Sequence, residues 1–138
     1  MGKFFFYNKK IKFSLSQKSR TKNWILLVIK KEKSEVDFIN FVFCSDSFLL
    51  SFNKKFLRHN TFTDIITFDY SEKKKISGDV FISIPRVKEN AKIFNSVFSE
   101  ELHRVMIHGV LHLLGYNDKS KKEKLFIREK ENFYLKLF

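Results

Sequence analysis

Two histidines, His108 and His112, stand four residues apart in the run HGVLHLLGYND that spans residues 108–118. On a helix, an i, i+4 pair shares one face with its side chains about 6 Å apart, close enough for both imidazoles to bind one metal ion. Gly115, seven residues after His108, suits the left-handed turn that ends a helix and lets the chain double back. Asp118, ten residues after His108, can then reach the same point from outside the helix. Two imidazoles and one carboxylate leave a fourth position open for water. A lone histidine pair at this spacing is commonly a surface accident; the glycine and the third ligand-capable residue set this one apart.

The same spacing occurs in metzincin peptidases, where the residue after the first histidine is a glutamate acting as general base. Gly109 holds that position here, so zinc-peptidase chemistry lacks its proton acceptor. His103 lies five residues before His108, about 140° round a helix. It is expected to be solvated or to meet a phosphate, and not to bind a metal. Leu102, Val105, Met106 and Leu113 are expected in the core, and Cys44, in a Phe-rich strand, as a buried small hydrophobe.

These residues need a helix to carry them. Ser99, followed by Glu100 and Glu101, supplies an N-cap and acids for the positive first turn of a helix that ends at Gly115. Ser120 and Glu123 form a capping box for a last helix running towards Phe138. Upstream, 4–7 and 11–15 look like short β pieces, 16–33 a helix around the apolar run 24–29, and 36–44 a strand. Residues 45–47 offer caps for a helix carrying Phe48, Leu49, Phe52 and Phe56. A polar connection at 58–62, a strand at 64–70, a charged loop at 71–78 and a strand at 79–84 follow. Pro85 opens a helix through about Val97. Strands alternating with helices predict an α/β (α+β) layer. One domain over 1–138 would have a small mixed sheet of about four strands packed with helices, its metal-site helix near the C-terminus.

The chain has 138 residues and a net charge of +12, from 27 basic and 15 acidic side chains. Such a balance suits a polyanionic partner. Lysine makes up 22 of the basic residues, and Lys, Phe, Ile and Asn, all with AT-rich codons, are abundant, so compositional drift is an equal source of the charge. A single cysteine excludes an internal disulfide and a Cys-rich zinc finger and fits a reducing compartment. No apolar run approaches the roughly 18–20 residues of a membrane span. The N-terminal apolar stretch is too short for a signal peptide, and Phe6 stands where a myristoylation signal needs Ser or Thr. The expectation is a cytoplasmic protein with no membrane partner.

Taken together, the motifs resemble YbeY, the bacterial family of metal-dependent, single-strand-specific endoribonucleases of ribosomal RNA maturation. Its hallmark, H-G-x-L-H-L-x-G-Y-D-H, is matched by His108, Gly109, Leu111, His112, Leu113, Gly115 and Tyr116. The block from Thr63 to Phe68 (TDIITF) is similar to the family's T-D-V-L-S-F, and that from Ser77 to Ile82 (SGDVFI) to its L-G-D-I-x-I. Asn53 sits where the family has an Asn shortly before T-D-V. The resemblance covers about residues 36–135. It implies a zincin-like fold and one Zn2+ per chain. It also implies endoribonuclease activity on single-stranded RNA: the rRNA precursor of the ribosomal small subunit, in 16S rRNA 3′-end maturation and ribosome quality control, with no DNA substrate.

Two positions depart from the family pattern. Asn117-Asp118 replaces D-H, so a carboxylate takes the place of the third histidine. Asp remains a good zinc ligand, but its charge makes the ion a weaker Lewis acid than three histidines would. The family's cleft arginine falls at Leu57, with Arg58 directly after it, about 100° further round a helix. Arg58 is the first candidate for the phosphate-stabilising cation; Arg86, Arg104 and Lys54-Lys55 are the others. Two further functions stay open: a metallopeptidase, opposed by Gly109 and the positive charge, and a non-catalytic, metal-containing ribosome-assembly factor.

Overall fold

The computed structural model describes residues 3–59 and 61–138; Met1 and Gly2 of the N-terminal segment, and Asn60 in the 58–62 connection, lie outside the described residues. The order along the chain is β1 (Phe4–Lys9), α1 (Lys18–Lys31), β2 (Glu35–Cys44), α2 (Asp46–Leu57), β3 (Ile65–Asp69), β4 (Lys75–Ser83), α3 (Ile84–Ile93), α4 (Phe98–Leu113) and α5 (Lys121–Leu135). The sheet runs β1-β2-β4-β3. β1, β2 and β4 are parallel, and β3 closes one edge antiparallel to β4. The expected mixed α+β architecture, with a small four-stranded sheet and its histidine helix near the C-terminus, is what the chain adopts.

Side-chain alternation along the strands builds a core on each face of the sheet. On one face Ile39, Phe41, Phe43, Val80 and Ile82 pack against α1 (Trp24, Ile25, Val28, Ile29) and α4 (Met106, Ile107, Val110, Leu111). On the other, Cys44, Leu49 and Ile66 meet Phe48, Phe52, Phe68 and Phe81. Each large apolar side chain fully buried in this way contributes roughly 1.5–3 kcal/mol, so α4 is held against the sheet along most of its length. Gly109 makes that approach possible. A Cβ there would come 2.8 Å from Val80 Cγ1 and 3.1 Å from Ile65 Cδ1. The position that carries the general base in metzincins therefore faces the sheet here.

The N-cap at Ser45 and the capping box at Ser120 form as their side chains predict, and Ser83, expected within a strand, caps α3. Most boundaries shift by one or two residues, and four features depart further from expectation. Residues 11–15 form no strand: Lys10 turns left-handed (φ 60°) and pairing stops at Lys9, while Phe13 packs edge-on against Phe43 and Phe98. β4 starts at Lys75, inside the expected charged loop, because the chain from Lys75 on pairs with β2 and from Gly78 on also with β3. α3 stops at Ile93, short of Val97, and Asn95 has φ 54°. α4 starts at Phe98, with Val97 rather than Ser99 at the N-cap and no side-chain cap. Phe98 packs against the core, and that contact outweighs the serine's capping bond.

Cys44 is fully buried, its thiol 3.4 Å from the Ile82 carbonyl. Burial, with Asp46 nearby, pushes its pKa up to about 12, which fits a small core residue and not a nucleophile.

Candidate metal centre

The C-terminal end of α4 is built by two backbone bonds. Gly115 N–H donates to His112 O and Tyr116 N–H to Leu111 O, both at 3.0 Å. This is the Schellman pattern, and it needs a residue with positive φ; Gly115 has φ 103°. The chain then reverses and returns Asp118 to the histidine face. His108 Nε2 and His112 Nε2 lie 2.9 Å apart. Asp118 Oδ2 is 3.2 Å from the first and 3.4 Å from the second. A tetrahedral ion with bonds of about 2.0–2.1 Å holds its ligand atoms about 3.4 Å apart, so the triangle has the size of one face of such a site.

The donor chemistry fits as well. His108 Nδ1 is 2.5 Å from Glu131 Oε2, and His112 Nδ1 is 2.9 Å from the Tyr116 carbonyl oxygen. Both Nδ1 atoms face acceptors, so each neutral ring carries its proton there and turns a bare Nε2 lone pair inward. Two lone pairs and a carboxylate oxygen thus converge on one point, an arrangement that a cation relieves. His108, His112 and Asp118 form a group able to hold a metal ion.

Glu131, on α5, carried no signal in the sequence. It is buried, with Arg104 Nη1 2.9 Å from its second oxygen and Arg104 Nη2 2.8 Å from Asn132. Burial opposes its charge, but the hydrogen bond and charge of His108, with Arg104, outweigh that and hold the carboxyl below its usual range. Burial likewise disfavours a charged His108, and Glu131, Asp118 and Asp64 together outweigh it and raise its pKa. A carboxylate behind a ligand histidine fixes the ring and strengthens it as a donor. Glu131→Gln is expected to weaken metal binding about 10–100-fold while the fold survives. Competition against a chromophoric chelator measures this; unchanged affinity would show Glu131 to be a plain core ion.

A second, partly buried carboxylate steadies the turn. Glu32, just after α1, accepts hydrogen bonds from the hydroxyls of Tyr116 and Tyr134 and from Lys130 Nζ at 3.1 Å. Burial pushes the Glu32 pKa up, yet these three donors together bring it below the ordinary carboxylate value. A depressed folded-state pKa gives stability that is present above the unfolded value, about 4.5, and lost as pH falls through the folded value. Glu32→Gln should therefore lower unfolding free energy at neutral pH by about 1–3 kcal/mol. The gap to the wild type should narrow below about pH 4.5. Denaturant titrations at pH 7 and pH 3 check the sign: a gap that widens in acid would contradict it.

Two clefts meet at the candidate metal group, and His108, Asp118, Asp64 and Ile65 line both. The cleft on the β3 side, about 800 Å³, is walled by Asn53, Leu57, His59, Phe62, His112 and Lys119 among others. Asn53 is buried, and its side-chain amide donates to Thr61 O at 2.8 Å, which ties down the connection that follows α2. Arg58 caps α2 in the left-handed conformation (φ 57°) and is exposed. It stands between the wall residues Leu57 and His59 but is not itself one of those lining the cleft.

Arg86 is held by Asp46 (2.7 Å) and lies over the Phe62 ring, and Arg104 is held by Glu131 and Asn132. Lys54 and Lys55 are exposed on α2. Asp79 sits inside β4 rather than at a strand start, and accepts from Asn40 and Tyr70 at 2.9 Å each. His103 is half-buried: it packs on the rings of Trp24 and Phe138, burial lowers its pKa, and it stands outside the candidate metal group.

Comparison with known proteins adds to this geometry. A family profile described as Endoribonuclease YbeY matches residues 5–138. The chain is 49% identical over 134 residues to the Endoribonuclease YbeY of Cytophaga hutchinsonii, covering 96% of this chain and 94% of that one. It is 46% identical over 129 residues to that of Karelsulcia muelleri, with 94% and 92% covered. Among solved structures, a solution structure from Thermotoga maritima is similar, with a TM-score of 0.67 and 29% identity over 95% of this chain and 87% of that one.

Proposed function

The chain belongs to the YbeY endoribonuclease family, and from that premise we propose that it cleaves single-stranded RNA with one zinc ion held by His108, His112 and Asp118. Its substrate would be the rRNA precursor of the ribosomal small subunit, in 16S rRNA 3′-end maturation and ribosome quality control. It would act in the cytoplasm as one unit over residues 1–138, without a DNA substrate. The observation that carries this is the convergence of two bare imidazole nitrogens and a carboxylate where two open clefts meet. A buried, closed site would suit a structural ion; an open one admits a phosphodiester. Among the described residues no helix is long and apolar enough to cross a membrane.

When bound, the zinc would supply a Lewis acid for the scissile phosphate and its attacking water. The chain's own residues do the rest. Glu131 and the Tyr116 carbonyl hold the two imidazoles in the tautomer that leaves Nε2 free. Phe62, 53% exposed on the cleft wall, offers a face on which an unpaired base can stack. Lys119 on the wall and Arg58 beside it supply positive charge where negative charge develops. Gly109, packed against Val80, offers no base for peptide hydrolysis.

The test is to load the purified protein with zinc and incubate it with a single-stranded RNA, the same RNA annealed as a duplex, single-stranded DNA and casein. Cleavage of the first alone, lost on chelation and restored by zinc, is expected. Zinc uptake without cleavage of any single-stranded RNA would favour the assembly-factor function.

A further inference from the structure

The second cleft, about 370 Å³ and within the size range of small-ligand sites, opens between the end of α3, α4 and α5 and shares His108 and Asp118 with the metal-binding group. Its wall contains an anomaly. Glu101 is only 7% exposed, lines the cleft, and finds no hydrogen-bond or ion-pair partner among the described residues. A carboxylate so placed leaves its lone pairs to whatever enters. Asp64 lines the same wall, with one long contact from Asn90 Nδ2 at 3.4 Å, and Asn90 keeps its own carbonyl oxygen for the cleft. Arg104, which could have neutralised the wall, is taken up by Glu131 and Asn132. The inner wall therefore presents two carboxylates that the neighbouring donors leave open, Glu101 wholly and Asp64 but for one long contact.

The rim has the opposite character. Phe94, at the C-cap of α3, is 62% exposed and stands at the mouth. Lys124 and Arg128 project from α5 on the other lip, both exposed. Acceptors within, an aromatic face at the entrance and cations on the lip match a nucleotide: a base that donates hydrogen bonds, a ring to stack and phosphates to neutralise.

We propose that this cleft takes a nucleobase bearing an exocyclic amino group, from the nucleotide next to the scissile phosphate, with Glu101 and Asp64 as its hydrogen-bond acceptors and Phe94 as its stacking face. Cytosine, adenine and guanine each present an N–H2 group to such a wall. Uracil presents carbonyl oxygens on either side of its single N–H, and these would face the carboxylates. The cleft thus gives the enzyme a base preference against uracil close to the cut. This rests on the RNA-cleaving function proposed above.

Deca-C and deca-U single-stranded RNAs share a pyrimidine ring and differ in the amino group, so they isolate the effect. Their binding to zinc-loaded protein is measured by fluorescence anisotropy, and their single-turnover cleavage is followed alongside. Deca-C should bind about tenfold or more tightly than deca-U. Glu101→Gln, whose amide can donate to a uracil carbonyl, should bring the two within about twofold, chiefly by improving deca-U. Phe94→Ala, at an exposed position that the fold does not need, should weaken both by about fivefold or more, and it keeps the cleft testable should the Glu101 variant not fold. Equal affinity of the wild type for deca-C and deca-U, or Phe94→Ala indistinguishable from wild type, overturns the assignment of this cleft and leaves the nuclease function standing. Failure to bind or cut either RNA overturns both.

Discussion

Alanine at His108 is expected to abolish stoichiometric metal binding, and alanine at His112 to do nearly the same. The triangle of Nε2, Nε2 and Oδ2 atoms, with edges of 2.9–3.4 Å, has no spare ligand among its members. Removing one imidazole leaves a single imidazole and a carboxylate more than a third exposed, too weak a pair to hold a divalent ion through dialysis. His108 carries a second load, since its Nδ1 is the partner of the buried Glu131 carboxylate. His108→Ala leaves that carboxylate with Arg104 and Arg128 alone, so this variant should also lose about 1–3 kcal/mol of stability. His112, whose Nδ1 meets only a backbone carbonyl, should lose less. Asp118, more than a third exposed and approaching from a loop, should weaken binding without abolishing it. The readout is metal per chain by mass spectrometry after dialysis, with near-ultraviolet circular dichroism to show that the variants are folded. One metal retained in a folded His108→Ala or His112→Ala protein would mean that the ion sits elsewhere. Because imidazole must be deprotonated to bind, and the carboxylates around His108 hold its pKa above the ordinary histidine value, wild-type loading should begin to fall above about pH 6.5 and be lost below it.

The three candidate ligands were legible in the sequence for a physical reason. They lie within eleven consecutive residues, and helix periodicity with one positive-φ glycine carries them from the sequence into space. The residues that hold them were not legible. Glu131 is 23 residues from His108 on another helix, and Glu32 reaches Tyr116 across 84 residues. Nothing in the alternation of charge around Glu129, Lys130 and Glu131 says which one turns inward; only the packing of α5 on α4 decides it. The failures share this cause. Ser99 is a good N-cap residue, but Phe98 reaches the core and moves the helix start. Residues 11–15 have strand-like composition, but Phe13 packs edge-on against Phe43 and Phe98 and the segment leaves the sheet. Local capping and spacing set the turn at 115–118, and tertiary contact overrides local preference wherever an aromatic ring is within reach.

Arg58→Ala should lower single-turnover cleavage of single-stranded RNA by about 10²–10³, the range for losing one donor that stabilises developing charge. The structure narrows the choice of cation. Arg86 is bound to Asp46 and Arg104 to Glu131, so neither is free to follow a phosphate without breaking a partly buried pair. Arg128 lies on the other cleft, 3.9 Å from Glu131. Arg58 makes no ion pair or side-chain hydrogen bond among the described residues, and its backbone is set between two residues of the metal cleft wall. The left-handed cap and the bond from His59 N–H to Asn53 O fix that backbone and leave the long side chain to swing. If the proposed zinc is held by two histidines and a carboxylate, its shell would carry less net positive charge than three histidines would give, and the reaction would lean harder on a cation from the chain. Zinc content and thermal stability should not change in the variant, because Arg58 touches neither the ligands nor the core. His59→Ala, made in parallel, separates the neighbours: His59 lines the cleft but reaches less far than the guanidinium. An Arg58→Ala enzyme within twofold of wild type, with His59→Ala or Lys119→Ala slowed instead, would move the charge-stabilising role onto the cleft wall itself.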